Sequence, residues 1–506
     1  MDAVDPASPP SRLRAAFCCP SFFPVPGSYM TPPVSVVVDP VRKSLLWLVA
    51  VGFFMQTLDA TIINTALPAM AAGLGESPLR MQSVVVAYSL TMAMLIPASG
   101  WIADRFGTRR IFFSAIVLFV LGSVACALSH GLGQLVAARV VQGLGGALLL
   151  PVGRLALLRT VPRTEFLQAM SFVAIPGLIG PLLGPTLGGW LVQYASWHWI
   201  FLINVPVGVL GCIATLRFMP DLRGAALQRF DATGYAFLAL GMVSVSLALD
   251  GVAELGLRQG GVFVLMVFGF ASLTAYWLHA GRKPAPLFSP VLFKVPTLSI
   301  GLLGNLFSRL GSGCMPFLLP LLLQVSMGYS PLHAGLMMLP IALAGMTMKR
   351  FTTPLITHFG YRRVLVVNTA LVGLAMGLFG FAGPTQPLAL HIVLLLFFGA
   401  VNSLQFTAMN TVTLRDLDGG MASSGNSLLS MVQMLAMSLG VAAASSVLGG
   451  YTGLFGSDGP LDTLHAFQAT FATMGLITLA SALIFWHLPP EARAVQPAQP
   501  EVSGQG

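Results

Sequence analysis

The chain has 506 residues, of which 56% are hydrophobic and only 8% charged, and a formal net charge of +9. A soluble domain carries roughly 25% charged residues, so this composition describes a polytopic membrane protein. The positive balance does not mark a nucleic-acid binder, because the bases fall in short loops between apolar runs. Cys18, Cys19, Cys126, Cys212 and Cys314 have no spacing for a zinc site or a disulfide framework. No GxxxxGK[ST], HExxH or GxSxG occurs, so direct ATP hydrolysis and enzyme chemistry are not indicated. No cofactor and no metal are expected.

Residues 1–41 are rich in Pro and Ser and lack a long apolar core, so they are not a signal peptide. They read as a disordered tail, with Met30 as an alternative start. Apolar runs of about 20 residues then predict fourteen spans. The first, near 44–67, carries MQTLDATIINTALP. Its Asp59 lies deep in an apolar run, where an acid costs several kcal/mol and marks a functional site by default. The second, near 82–103, leads into the loop GWIADRFGTRR, and the third lies near 111–129. The fourth, near 134–157, carries RVVQGLGGALLLP with Arg139 and Gln142. A cation at that depth needs a partner. Asp59 is the only acid deep in any span and is the expected one, whether the pair moves protons or only staples helices.

The fifth span, near 166–191, reads GLIGPLLGPTLGGW. Gly180, Gly184 and Gly188 recur every fourth residue and share one helix face, a close-packing seam; Gly189 follows. Pro181 and Pro185 remove backbone donors, so a bend or local loosening is expected. The remaining spans lie near 197–219, 232–250, 261–280, 297–324, 332–356, 363–382, 388–413, 423–448 and 463–487, followed by a second disordered tail over 489–506. The ninth holds Asn305 and Arg309. The twelfth places Asn402, Gln405, Met409 and Thr413 on one face, with Asn410 beside it, and the thirteenth adds Asn426 and Gln433. These amides either line a cavity or bond helix to helix. No acid lies deep in the second half to neutralise Arg309.

The even-numbered loops carry Arg105, Arg109, Arg110, Arg159, Arg163, Arg223, Arg229, Arg282, Lys283, Lys294, Arg362, Arg363 and Arg415. The odd-numbered loops carry only Arg80 and Arg258. The positive-inside rule therefore puts the even loops and both termini in the cytoplasm. FGTRR after span two recurs as FGYRR after span ten, half a chain later. Repeated halves are typical of secondary transporters. The copies sit eight spans apart, which predicts six-helix bundles over 42–219 and 296–488 with two helices inserted over 220–295.

GWIADRFGTRR resembles the loop motif GxxxDRxGRR of the major facilitator superfamily. RVVQGLGG resembles that family's RxxQGxG, and GLIGPLLGPTLGGW resembles the antiporter motif of its drug:proton exporters. LDATIINTALP, WHWIFLINVPVG and FDATGYAFLALGMVSVSLALDG are similar to the fourteen-span drug:proton antiporter branch, over about residues 42–490. ASWHWIFLINVPVG, MNTVTLRDL and MASSGNSLLSM look closest to the MdtD-type multidrug permeases of bacterial inner membranes.

The resemblance implies an all-α major facilitator fold around a central cavity and a proton-driven exporter in the inner membrane. It makes Asp59 and Arg139 the proton-coupling pair. It makes Gly100, Asp104, Arg105, Gly107, Arg109 and Arg110 a conformational latch, in which Asp104 pairs with Arg105 or a base across the loop. Gly180, Pro181, Gly184, Pro185, Gly188 and Gly189 set the direction of transport. Cavity candidates are Asn64, Gln142, Asn305, Arg309, Asn402, Gln405, Met409 and Gln433. Expected partners are a small-molecule substrate, protons and the bilayer, with no nucleic acid, a monomeric state, and a periplasmic adaptor left open. A narrow exporter of an anionic metabolite or metal chelate is the alternative. A non-transporting sensor or structural subunit stands further off.

Overall fold

The computed structural model describes residues 40–224, 229–253, 259–417, 419–456 and 459–489. Cys18, Cys19, Met30, Arg258 and nearly all of both expected tails lie outside the described residues. Among those described, fourteen helices are long and apolar enough to cross a membrane. In chain order they are Lys43–Thr65, Pro78–Phe106, Thr108–Ala127, Leu132–Thr160, Phe172–Tyr194, Trp199–Phe218, Ala232–Leu249, Gly260–Arg282, Pro296–Ser326, Pro331–Phe359, Tyr361–Phe379, Leu388–Leu414, Met421–Phe455 and Leu461–Phe485. They are called spans one to fourteen below.

The repeat seen in FGxRR is expressed in the packing. Span one lies on span five as nine lies on thirteen, two on four as ten on twelve, and three on six as eleven on fourteen. Every pair recurs eight spans later. Spans seven and eight fall outside this correspondence. They pack on each other, and span seven also lies against spans two and thirteen.

The two ends of the molecule are packed differently. Toward the odd-numbered loops one apolar cluster takes in both halves: Leu67, Met70, Met81 and Phe201 share it with Phe317, Leu322, Ala334 and Phe471. Toward the even-numbered loops the apolar packing is split among several clusters, one of which joins Leu90 of span two to Leu298, Leu428 and the inserted pair. Leu45, Phe112, Val152 and Met219 belong to one cluster, and Leu365, Leu404, Val412 and Phe485 to another. The first cluster closes the odd-loop side.

The inserted pair is pinned by one carboxylate. Asp231, just before span seven, accepts hydrogen bonds from Gly234 N (3.1 Å), His279 Nε2 (2.9 Å), Lys283 Nζ (2.8 Å) and Leu287 N (3.3 Å). Burial alone would raise its pKa, but the bonds from Lys283, His279 and the two amides prevail and hold it down at about 2.

A bend or local loosening is expected at Pro181 and Pro185; one helix runs over Arg163–Tyr194 through Pro176, Pro181 and Pro185 without a break. Span one braces it: Thr61 Oγ donates to Gly180 O at 3.3 Å and Thr65 Oγ to Pro185 O at 3.2 Å. These bonds tie span five to span one along its proline-bearing stretch.

Candidate functional site

The glycine face of span five determines where span one lies. A Cβ at Gly180 would fall 2.3 Å from Thr57 Oγ, one at Gly184 2.2 Å from Thr61 Oγ, and one at Gly188 2.4 Å from Ile62 O. With no Cβ, span one approaches to backbone distance, and Asp59 is held in the helix core. On the other side, Gly143 and Gly146 of span four give the same access to span two, where a Cβ would meet Thr91 and Tyr88.

Asp59 and Arg139 meet there. Both are 1% exposed, and Arg139 Nη1 donates to Asp59 Oδ2 at 2.7 Å. The second carboxylate oxygen is also filled: Asp59 Oδ1 accepts from Gln142 Nε2 at 2.7 Å and from Asn204 Nδ2 at 3.0 Å. Both amides also reach Ser123 Oγ, at 2.8 and 3.3 Å. Arg139 Nη1 donates further to Gln142 Oε1 at 2.6 Å and Nε to Val84 O at 3.4 Å, and its guanidinium lies 4.1 Å from the Tyr88 ring centre. Five helices thus converge on one ion pair. A buried pair persists only when its remaining donors and lone pairs are satisfied, and here the amides, the serine and the ring do that. The arrangement encloses a carboxylate whose two oxygens take three side-chain donors.

Asn204, Ser123 and Tyr88 are absent from the expected set. Asn204 had a signal, since it is the polar residue inside LINVPVG at the start of an apolar run. Ser123 and Tyr88 had none beyond polarity. Gln142 is expected at a substrate cavity, but the structure joins it to the ion pair.

The loop between spans two and three is tied within its own half. Asp104 Oδ1 pairs with Arg159 Nη2 at the end of span four at 2.5 Å. Arg105 instead lies over the Trp101 and Phe106 rings, at 5.3 and 5.7 Å. The acid is taken by a base at the end of span four rather than by Arg105 or a base of its own loop. Gly107 has φ +93°, which favours glycine. Thr108 donates from Oγ to Pro220 O at 2.7 Å, and Arg109 from Nε to Met219 O at 2.5 Å. Gly100 has open space around it. In the second copy Thr357 stands where Asp104 does, and its hydroxyl bonds inside its own helix.

The remaining expected cavity residues are mostly occupied. Gln405 is buried, with Oε1 accepting from Asn368 and Nε2 donating to Thr369, while Met409 is packed in the apolar cluster beside span eleven. Gln433 donates to Asn410 at 2.6 Å. Asn305 Nδ2 donates to Gly301 O, and Asn64 Nδ2 to Ala60 O. Asn402 is half-buried. Arg309 differs: Nε donates to Asn305 Oδ1 at 3.2 Å and the guanidinium lies 4.6 Å from the Phe406 ring centre. Its Nη2 is buried with no protein partner.

The profile of the Major Facilitator Superfamily matches residues 49–441. The chain belongs to the major facilitator superfamily. Among its relatives, "Putative multidrug resistance protein MdtD" of Pectobacterium carotovorum subsp. carotovorum is 51% identical over 446 residues, 88% of this chain and 96% of that protein. The protein of the same name in Serratia proteamaculans is 53% identical over 448 residues, 88% of this chain and 93% of its own. Among solved structures, a D-xylose-proton symporter matches with TM-score 0.64 at 15% identity, covering 89% of this chain and 98% of that one. A POT family transporter in complex with 5-aminolevulinic acid matches with TM-score 0.60 at 15% identity, covering 87% and 94%. At such identities these two establish the fold. The chain is a multi-pass membrane transporter of this superfamily and not an enzyme.

Proposed function

We propose that this transporter is a proton-coupled exporter of small molecules in the bacterial inner membrane. It works by alternating access between halves spanning 42–219 and 296–488, with 220–295 as an inserted pair. The observation that carries the reading is the Asp59–Arg139 pair. Among the described residues Asp59 is the only carboxylate more than a turn from the end of a span. A buried acid opposed by a cation has its affinity for protons set by two opposing effects, desolvation and the neighbouring charge. The loop charges favour even loops in the cytoplasm. With the odd-loop side closed, the proton would leave Asp59 toward the cytoplasm in this conformation. The membrane potential adds about 2.3 kcal/mol per charge per 100 mV. The names of the MdtD relatives support efflux of drug-like compounds. The glycines of span five support the outward direction.

Asp59→Asn leaves Arg139 without its counter-charge and is expected to lower stability, but per molecule of folded protein in the membrane it should lose proton-driven export. Inverted vesicles loaded by respiration provide the measurement, and unchanged uptake by the variant would sink the assignment.

A second reading is favoured by Arg309. Its Nη2 is buried and unpartnered, and Arg154, Lys349 and Arg350 also have no ion-pair partner among the described residues. No described acid lies mid-span in 296–488. A cavity with that balance favours neutral or anionic cargo, such as an organic acid or a metal chelate. Arg309→Glu should swing the efflux profile toward cations. A profile identical to that of the native chain removes this reading and leaves the first.

A further inference from the structure

We propose that Tyr88 and Gln56 form the inner arm of the proton path, connecting Asp59 to the even-loop side; this rests on the reading of Asp59 as the coupling acid. Tyr88 presents its ring to Arg139 and is 4% exposed. Its hydroxyl points past the guanidinium toward Gly146, where a Cβ would stand only 2.8 Å from it. Gln56 lies one turn before Asp59 on span one, its Nε2 4.0 Å from Met92 Sδ. The Tyr88 hydroxyl and Gln56 Oε1 are buried and have no protein hydrogen-bond partner. Buried polar atoms in folded proteins are almost always bonded, to ordered water where protein does not serve. Both atoms lie on the same side of the ion pair, the side of the even loops.

The opposite side is built differently. Arg139 Nε is tied to Val84 O, and beyond it Ile62, Leu67, Val85 and Phe201 belong to the apolar cluster that joins the two halves. Asn64 is enclosed there, its Oδ1 also unpartnered. The polar route from Asp59 therefore runs past Tyr88 and Gln56. The titratable and charged groups facing the acid are Arg139 on span four, Tyr88 on span two and Cys126 on span three.

The transfer balances without another reactant. A neutral Asp59 gives its proton to water held by Gln56 Oε1. The Tyr88 oxygen accepts a proton while its own passes onward, so the phenol stays neutral. The carboxylate left behind pairs with Arg139, and one proton reaches the even-loop side.

The test uses the purified full chain in lipid nanodiscs, following the Asp59 carboxyl stretch by infrared after a pH jump. Asp59→Asn identifies the band. Tyr88→Phe keeps the ring on Arg139 and removes only the hydroxyl; Gln56→Leu removes the other polar atom. In each variant deprotonation of Asp59 should slow at least tenfold while the titration midpoint stays where it was. A native rate in both variants, or a shifted midpoint with a native rate, overturns the relay and leaves the coupling reading intact. If the native protein has no titrating band, the coupling reading fails and the relay fails with it.

Discussion

At the scale of single residues, the ion pair is a liability unless both members are present. Removing one partner of a buried pair typically costs about 3–5 kcal/mol, because the other charge is left uncompensated, whereas replacing both by apolar groups is often neutral. Arg139→Met should therefore lower stability by about that amount, and Asp59→Leu combined with Arg139→Met should recover most of it. Thermal unfolding in detergent measures both, and a double variant as unstable as the single one would show that the amides and Ser123, not charge pairing, hold these helices. The pair was legible in the sequence because only one acid and few cations lie deep in the spans. Asn204 and Ser123 were not. Which face of span six meets span one depends on the rotation of both helices, and no pattern of hydrophobicity fixes that when all sides are apolar. The amides of span twelve teach the converse lesson. Gln405 has the polarity of a cavity residue, but its partners Asn368 and Thr369 lie on the preceding span, and no sequence pattern fixes how spans eleven and twelve are rotated against each other.

At the scale of elements, the seam between spans one and five was legible as a four-residue glycine repeat, and its unequal tolerance was not. A Cβ at Gly184 first meets the Thr61 hydroxyl, at the end of a side chain that can rotate away. One at Gly188 meets the Ile62 backbone carbonyl at 2.4 Å, which cannot move without the helix. Gly188→Ala should cost about 1–3 kcal/mol, the usual range for overpacking, and Gly184→Ala less. Equal losses in detergent melts would mean that the helices separate as rigid rods at either position. The fixing of spans seven and eight by Asp231 lay beyond the sequence, since the acid, His279, Lys283 and the Leu287 amide come from separate segments. Its pH dependence has a definite sign. A carboxylate whose folded pKa lies below its unfolded value stabilises the fold above the unfolded value and loses that contribution as pH falls through the folded one. The stability difference between the native chain and Asp231→Asn should thus be level near neutral pH. It should shrink from about pH 4, the ordinary aspartate value, toward about pH 2. A difference that persists unchanged across that acid range would place the contribution in geometry alone.

At the scale of the whole molecule, the structure is closed on the odd-loop side by the cluster shared between the halves. Two glycines interlock there across the halves. A Cβ at Gly189 would fall 2.2 Å from Pro331 O, and one at Gly335 2.3 Å from Pro185 O. Thr186 Oγ donates to Gly335 O at 3.3 Å, the Leu332 amide to Gln193 Oε1 at 3.2 Å, and Gln324 Nε2 to Thr65 O at 3.0 Å. The glycine contacts exist only while the odd-loop ends of spans five and ten touch, and the Gln324 bond only while those of spans one and nine do. A side chain added at either glycine penalises this state and leaves a state with those ends apart untouched, and each 1.4 kcal/mol of such differential cost shifts the ratio of states tenfold. Gly335→Val should therefore expose residues now sealed by the shared cluster. Leu67, fully buried within that cluster, is a suitable reporter when replaced by cysteine. Labelling of Leu67→Cys by a membrane-impermeant maleimide from the odd-loop side should accelerate tenfold or more in the Gly335→Val background. The Asp104–Arg159 tie belongs to a single half, so Asp104→Asn should alter that rate far less. Acceleration by Asp104→Asn equal to that by Gly335→Val would mean that the loop on the far side, rather than the glycine interlock, holds the odd-loop ends together.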